Sequence, residues 1–242
     1  MTALDRIRIV LVEPRDAGNV GATARAMKNM GLTRLVLAAA PALDETRAAT
    51  MAVHARDVLE ARQTAPDLPA AVADAHLVVG TSGRATSQRD GGRPPRAVAA
   101  EIVAAATSNE VALVFGPEDR GLSNVELAHC QSFITISTDP AYGSLNLAQS
   151  VLLCAYEIFV ATDDATPTPT RTLATGARHE LMYDKLEASL LAVGFLQPDT
   201  AGSMMRKLRR TLGRAALDDD EVQVFLGIAR QMSWSATQHR KP

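Results

Sequence analysis

Three short segments of the sequence carry polar and charged side chains immediately after, or within one loop of, strand-like runs. They read Asn19-Val-Gly-Ala-Thr-Ala-Arg25, Val114-Phe-Gly-Pro-Glu-Asp-Arg-Gly-Leu122 and Ile136-Ser-Thr-Asp-Pro-Ala-Tyr-Gly-Ser-Leu-Asn-Leu-Ala148. Open α/β sheets bind ligands beyond the carboxyl ends of their strands. We therefore expect the three segments to converge on one pocket.

The first segment has both a structural and a functional interpretation. Asn19 could cap a helix, and Gly21 and Ala22 could simply allow close helix packing. Arg25 is harder to explain structurally, because it lies opposite the apolar stripe of that helix and nothing in the sequence obviously pairs with it. This arginine is the first candidate for catalysis.

The other two segments also contain more than the residues that a simple turn needs. Gly116, Pro117 and Gly121 predict a tight, rigid loop, and its apolar entry argues against an ordinary turn. Ser144 or Asn146 could cap the helix that follows, but the presence of both, behind Tyr142 and Gly143, suggests a further role.

The elements that must position these segments alternate between short β-branched runs and helical patterns over residues 6 to 160, which is typical of a parallel sheet covered by helices. We expect strands at 6–12, 34–38, 76–81, 110–115 and 132–137, and helices at 19–30, 44–62, 67–75, 95–106 and 145–162. In the first helix Val20, Ala24 and Met27 form the buried stripe, and Gly31 fits a left-handed C-cap. The predicted class is α/β, with a mostly parallel sheet and helices on both faces.

A Thr- and Pro-rich stretch at 163–176 predicts an interdomain linker, because alternating prolines hold neither a helix nor a central strand. Beyond it, one apolar stripe comprises Tyr183, Leu186, Leu190 and Val193, and a second comprises Val222, Phe225, Leu226 and Ala229, with a basic helix at 203–214 between them. We predict a domain at 1–163, a linker at 164–176 and a small all-α domain at 177–242.

Composition indicates an ordinary soluble enzyme. The 242 residues are 47% hydrophobic with a net charge of −2, and no apolar run approaches the roughly 18 residues of a membrane span. The N-terminus does not resemble a signal peptide, so we expect a cytoplasmic protein that neither spans nor binds a membrane. Cys130 and Cys154 are interpreted as reduced core thiols. No spacing predicts a metal site.

Several nucleotide and hydrolase motifs are absent. The sequence lacks GxxxxGK[ST], a GxGxxG turn after the first strand, and a GxSxG elbow. These absences argue against a Rossmann-type oxidoreductase and against a serine hydrolase.

The motifs NxGAxxR, FGPEDxGL and SLNLA, in this order, resemble motifs one to three of the SpoU branch of the SPOUT RNA methyltransferases. The VLVEP opening, TSGR at 81–84 and LRRTLGRA in the tail resemble the TrmJ type within that superfamily. One departure is Ile136-Ser137-Thr138, where many SpoU relatives carry Ile-Pro-Met, and it weighs against the generic tRNA-guanosine branch.

The resemblance implies transfer of a methyl group from S-adenosylmethionine to a ribose 2′-hydroxyl, with tRNA position 32 in the anticodon loop as the expected target. It also implies a C-terminal trefoil knot in the catalytic domain and a homodimer in which Arg25 of one chain lies near the cofactor of the other. The implied catalytic residues are Arg25, Asn19, Glu118, Ser144 and Asn146. The implied cofactor-binding residues are Thr81, Ser82, Gly83, Phe115, Gly116, Pro117, Ile136, Gly143, Ser144, Leu145 and Asn146.

Two basic clusters suggest RNA contacts despite the net charge, because local clusters of Lys and Arg bind phosphates. The residues assigned to RNA binding are Arg84, Arg89, Arg93, Arg206, Arg209 and Arg210. Either cluster could instead be a solvated face. Methylation of ribosomal RNA or of another tRNA site is an alternative, as is an RNA-binding protein without catalysis.

Overall fold

The structure is a computed structural model that describes residues 2–82, 92–139, 141–163 and 172–238. Gly83, Arg84 and Arg89 lie outside the described residues. The strands are β1 (Ile7–Val12), β2 (Arg34–Ala38), β3 (Gln63–Ala65), β4 (Leu77–Thr81), β5 (Val111–Phe115) and β6 (Ser132–Ile134). The helices are α1 (Ala17–Asn29), α2 (Glu45–Met51), α3 (Arg56–Glu60), α4 (Leu68–Ala71), α5 (Pro95–Ala106), α6 (Asn124–Leu127), α7 (Leu147–Asp163), α8 (Gly176–Ala192), α9 (Ala201–Gly213) and α10 (Asp219–Gln238).

The strands form one parallel sheet in the order β3-β2-β1-β5-β4-β6. In the central strand, Ile9 is in register with Leu35 of β2 and with Leu113 of β5. All residues of β1 and β5 are buried, because helices cover both faces of the sheet, as they do in parallel sheets generally. The predicted α/β class with a parallel sheet is confirmed.

Alternate side chains of β1 enter two different cores. Ile7, Ile9 and Leu11 pack with α1, α2, α3, α5 and α7, whereas Val10 and Val12 pack with α4 and α6 on the other face. The predicted stripe of Val20, Ala24 and Met27 is buried against the sheet. Gly31 has φ +70° after α1, in agreement with the predicted C-cap.

Several predicted bounds are wrong. The helix expected at 44–62 is two helices, α2 and α3, because His54 between them adopts φ 59° and cannot continue a helix. The edge strand β3 follows directly and was not predicted. The helix expected at 67–75 ends at Ala71, and the strand expected at 132–137 ends at Ile134, so that Ile136 lies in the loop beyond the sheet.

A closed network of charges lies at the amino ends of the strands. The buried guanidinium of Arg8 contacts the carboxylate of Asp74 through two hydrogen bonds of 2.6 and 2.7 Å, and contacts Glu110 at 3.3 Å. Glu110 also pairs with Arg34. Burial alone would lower the pKa of Arg8, but its bonds to Asp74 and Glu110 outweigh that effect and raise it. Each of these four charges therefore has a partner of opposite sign.

The tail helices have a core of their own, in which Met182, Tyr183, Leu186, Val222 and Ala229 are buried. Val193, predicted as part of this stripe, is 43% exposed, because α8 ends at Ala192 and the chain turns away there. Contacts to the sheet unit include the hydrogen bond from the Gly176 amide to the Ala75 carbonyl, 2.7 Å.

Both cysteines are free and buried, as expected, and burial raises the pKa of each thiol to about 12. Over the described ranges, none of the helices combines the length and apolar character needed to cross a bilayer.

Candidate active site

A cavity of about 430 Å³ opens at the carboxyl ends of β4, β5 and β6. It lies where open parallel sheets bind their ligands. Its walls come from all three strand ends and from both loops that follow β5 and β6. The lining residues are Thr81, Ser82, Phe115, Gly116, Pro117, Glu118, Asp119, Arg120, Gly121, Leu122, Ile134, Ile136, Thr138, Gly143, Ser144, Leu145, Leu147 and Ser150.

The loop after β5 folds back on itself and requires glycine at two positions. A Cβ atom on Gly116 would lie 2.2 Å from the carbonyl carbon of Gly121, so any side chain would force the loop open. Gly121 adopts φ +66°, which favours glycine, and its amide donates to the Pro117 carbonyl at 2.9 Å. This turn presents Glu118 and Asp119 to the cavity.

One chain of hydrogen bonds joins all three sequence segments. The Asn19 side-chain amide donates to Glu118 Oε1 at 2.8 Å, and the Asn146 amide donates to Asn19 Oδ1 at 2.8 Å. Asn146 Oδ1 in turn accepts from the Ala148 backbone amide at 2.9 Å, which makes Asn146 the N-cap of α7. Asn146 is thus both a cap and a connector between motifs.

Asn19 is not the N-cap of α1. That position belongs to Asp16, whose carboxylate accepts from the backbone amides of Gly18 and Asn19. The Asn19 side chain is therefore left to join Glu118 and Asn146. Gly21 packs against α2, where a Cβ would lie 2.0 Å from the Ala48 carbonyl oxygen, so the packing interpretation holds for this glycine.

Glu118 is the electrostatic centre of this network. Its carboxylate accepts from the Arg15 amide at 3.1 Å and from the Asp16 amide at 3.3 Å, besides Asn19. Burial by itself would raise the pKa of Glu118, but these hydrogen bonds outweigh burial and lower it. The group is therefore a fixed anion at neutral pH and serves to orient its donors.

Arg25 lies farther along α1, on its exposed face. Over the residues that the structure describes, its guanidinium makes no hydrogen bond or ion pair, which distinguishes it from the paired arginines around it. Six residues of helix separate it from Asn19, which corresponds to about 9 Å along the axis. Within one chain, Arg25 does not line the cavity.

The remaining predicted cofactor residues come together at the cavity. Thr81 Oγ1 donates to the Val114 carbonyl at 3.1 Å, and the Ser82 hydroxyl lies 3.2 Å from that of Thr135. Phe115, Gly116, Pro117, Ile136, Gly143, Ser144 and Leu145 also line the cavity. Among the described residues of the predicted set, Asn146 is the exception, since its side-chain amide bonds Asn19.

The predicted RNA-binding arginines differ in their partners. Arg93 pairs with Glu101 at 2.5 and 2.7 Å. Arg209 makes two 2.7 Å bonds to Glu180 and stacks over the Tyr183 ring. Arg206 and Arg210 lie on the exposed face of α9.

Sequence reasoning missed part of the cavity. Ile134 and Ser150 line it although they lie in flanking elements. Within the three segments, Asp119, Arg120, Gly121, Leu122, Thr138 and Leu147 also line it. The only sequence signal that could have identified these residues was their position in or next to the three motifs. Arg120 bonds Glu126 at 2.8 Å and Glu13 at 3.2 Å, which ties the β5 loop to the end of β1.

Comparison with known proteins assigns this geometry to a family. The model of the SpoU rRNA Methylase family matches residues 6–156, and that of the tRNA methyltransferase TrmJ C-terminal domain matches residues 177–241. The chain belongs to the SpoU methylase family. As a SpoU methylase, it is a methyltransferase, and the cavity with its polar network is the active-site candidate.

Sequence and structure comparisons align relatives with nearly the whole length of this SpoU methylase. It is 39% identical over 238 residues to the tRNA (cytidine/uridine/adenosine-2′-O-)-methyltransferase TrmJ of Pseudomonas aeruginosa strain UCBPP-PA14, with 93% of each chain covered. A crystal structure of TrmJ from Z. mobilis ZM4 has a TM-score of 0.78 and 30% identity, and the match covers 93% of this chain and 98% of that one.

A more distant SpoU methyltransferase, AviRb from Streptomyces viridochromogenes, shares the fold at 18% identity and a TM-score of 0.53, with 66% of this chain and 58% of that chain covered; it was solved in complex with AdoMet. In the described part of this SpoU methylase, no three His, Cys, Asp or Glu side chains are grouped as metal ligands would be.

Proposed function

We propose that this protein transfers the methyl group of S-adenosylmethionine to a ribose 2′-hydroxyl of tRNA, at position 32 of the anticodon loop. The observation that carries the proposal is the chain of hydrogen bonds from Asn146 through Asn19 to Glu118, which lines the cavity. Asn19 lies on α1, the helix that also carries the unpaired Arg25. The relatives named as tRNA 2′-O-methyltransferases support the substrate.

The cavity fits S-adenosylmethionine in size and chemistry. Its volume of about 430 Å³ falls within the roughly 300–1,000 Å³ of small-molecule sites. The partly exposed side chains of Ile136 and Leu145 offer an apolar surface for adenine, and the hydroxyls of Thr81 and Ser144 offer polar contacts for the ribose and amino acid parts. The carboxylates of Glu118 and Asp119 suit a ligand that carries a sulfonium cation.

When bound, the cofactor supplies an electrophilic methyl group. The chain's own residues must then hold the ribose oxygen about 3 Å from that methyl and stabilise the oxygen as its proton leaves. A guanidinium stays protonated in proteins and is therefore a poor general base. We therefore assign Arg25 to stabilising the developing alkoxide and binding the adjacent phosphate, with Asn19, Glu118, Ser144 and Asn146 orienting the ribose and the loops.

Delivery of Arg25 to the cavity requires a second chain. Helix α7 carries an outer apolar face in which Leu152, Leu153, Tyr156, Phe159 and Val160 are 37–48% exposed, while Val151, Cys154 and Ile158 are buried beneath it. An exposed patch of this kind marks an interaction surface. We propose that α7 forms the homodimer interface, so that Arg25 of one protomer faces the cofactor of its partner, and that the loops around the cofactor form a trefoil knot.

The tail and the basic residues complete the proposal. We assign residues 1–163 to catalysis, 164–176 to a linker and 177–242 to a helical domain that binds the tRNA body in the cytoplasm. Arg206 and Arg210 on α9 contact phosphates, together with Arg84, Arg89 and Arg93. Arg209 joins them only if RNA displaces Glu180. Phosphate contacts predict that affinity falls steeply with salt.

The test incubates the pure protein with labelled S-adenosylmethionine and an unmodified tRNA transcript, followed by nuclease mapping. We expect label on the ribose of nucleotide 32, and none when that nucleotide carries a 2′-deoxyribose. Label in ribosomal RNA or at another nucleotide would replace the substrate assignment. Absence of cofactor binding in calorimetry would overturn the enzyme assignment and favour an RNA-binding protein.

A further inference from the structure

Tyr142 is an exposed aromatic side chain beside the cavity. It is 80% exposed, more than the other large apolar side chains among the described residues. Its neighbours Gly143 and Ser144 line the cavity, as does Thr138 on the other side of the loop. An aromatic ring left in water at this place is unexplained by folding, since it buries almost no surface.

Three hydrogen bonds link the described residues on either side of Tyr142. The Tyr142 amide donates to the Asp139 carbonyl at 3.1 Å, and the Ala141 amide donates to the Asp139 carboxylate at 2.7 Å. Thr138 Oγ1 donates to the Gly143 carbonyl at 3.3 Å, which closes the loop across its base. The exposed ring is therefore carried by backbone that is hydrogen-bonded on both sides of it, next to residues that line the cavity.

Access to a 2′-hydroxyl in this cavity imposes a requirement on the RNA. The ribose has to approach the methyl group closely, so its nucleotide must leave the stack of its neighbours and its base must lose its stacking partners. Proteins that bind unstacked RNA bases place aromatic rings against them. Such stacking tolerates different bases because every base presents a π-face.

We infer that the Tyr142 ring stacks on the base of the nucleotide being methylated and so positions its ribose at the cavity. The inference rests on the proposed function and extends it: base recognition at the target is by stacking, not by hydrogen-bond readout. Recognition of this kind would tolerate more than one kind of base. Tyr142 is a positioning residue, since the reacting atoms lie at the ribose.

Three variants separate the ring from its other properties. Y142F keeps the π-face and should retain near wild-type kcat/KM. Y142L keeps apolar bulk without the π-face, and Y142A removes both. For Y142A we expect a loss of about tenfold to a hundredfold in kcat/KM, an intermediate loss for Y142L, and unchanged S-adenosylmethionine binding in calorimetry. V125A, at an apolar side chain that is 73% exposed and has no assigned role, is the control for exposed apolar surface.

The deciding experiment compares each variant on RNA with an intact target nucleotide and on RNA that is abasic there but keeps its 2′-hydroxyl. If the ring acts through the base, Y142A and wild type methylate the abasic RNA at the same rate. An equal loss on both RNAs would overturn the inference, as would a Y142A protein that has wild-type kcat/KM on intact RNA or that dissociates to monomers.

A binding measurement keeps this test independent of the proposed function. With 2-aminopurine at the target nucleotide, fluorescence in the complex should be lower for wild type and Y142F than for Y142A, because stacking on the ring quenches it. The wild-type methylation rate reports on the proposed function, while the ratio of variant to wild type and the quenching report on Tyr142. Equal fluorescence in all complexes would overturn the stacking.

Discussion

The two edges of the sheet treat their charged residues differently. At the amino edge, Arg8, Asp74, Glu110 and Arg34 pair with one another, and the two terminal nitrogens of the buried Arg8 guanidinium bond two carboxylates. At the carboxyl edge, the described hydrogen bonds of the Glu118 carboxylate come from amide donors, and farther along α1, away from that edge, the guanidinium of Arg25 faces solvent. The four charges at the amino edge have partners of opposite sign, whereas Glu118 and Arg25, to which we assign roles in the proposed reaction, form no ion pair with the described residues.

The largest test of this contrast is Arg25→Ala. We expect the methylation rate to fall by on the order of 10³-fold, with cofactor affinity in calorimetry and the thermal midpoint close to wild type, because the side chain is exposed and unpaired. Arg25→Lys is the control that keeps the charge but loses the bidentate fork. Retained turnover in Arg25→Ala would remove this residue from the centre of the mechanism.

At the amino edge we expect the opposite result, a loss of stability without a loss of activity. Arg8→Met leaves Asp74 and part of Glu110 without their partner and should lower the free energy of unfolding by about 3 kcal/mol, below the upper range for buried pairs because Asp74 is largely solvated. Urea denaturation measures this change. The rate per folded molecule should stay at the wild-type value. A variant with wild-type stability but lost activity would reverse the contrast.

An intermediate effect is expected where the motifs are joined. Asn19→Ala removes both the donor to Glu118 and the acceptor from Asn146, and we expect kcat to fall about tenfold to a hundredfold through misplacement of the loops. The loss in the double variant with Glu118→Gln should be much smaller than the product of the single losses. Multiplicative losses would show that these side chains act independently.

The smallest effect concerns a structural charge at the carboxyl edge. Burial by itself would raise the pKa of Glu126, but bonds from Arg120 and Ser123 outweigh it and lower the pKa to about 2. Because the folded pKa lies below the unfolded one, this carboxylate stabilises the fold above about pH 5 and loses that contribution as the pH falls toward 2.

Glu126→Gln should therefore cost about 1 to 2 kcal/mol at pH 7, and its stability should approach that of wild type near pH 2. Denaturation at several pH values measures the difference. A gap that stays constant with pH would show that the ion pair with Arg120 contributes nothing. The neighbouring anion Glu118 provides the comparison, since we expect its variant to lose activity before stability.

The sequence by itself determined the central strands, the first helix and the three motifs. Buried parallel strands are continuous apolar runs, the stripe of α1 repeats at helical spacing, and Gly31 marks the helix end, so each signal is contained within a short stretch of chain. The motif order then indicated which loops meet. The polar partners within the site could not be assigned from spacing alone, and the structure shows that Asp16, not Asn19, is the N-cap of α1.

Only the tertiary structure decided which charges are available and which apolar faces are covered. Arg209 belongs to a cluster without nearby acids in sequence, yet it pairs with Glu180 from another helix. The apolar helix α7 has one buried face and one exposed apolar face. Helical spacing and turn residues act within a few positions of the chain, but an ion pair or a packed face depends on which distant segments meet, and that is set by the whole fold.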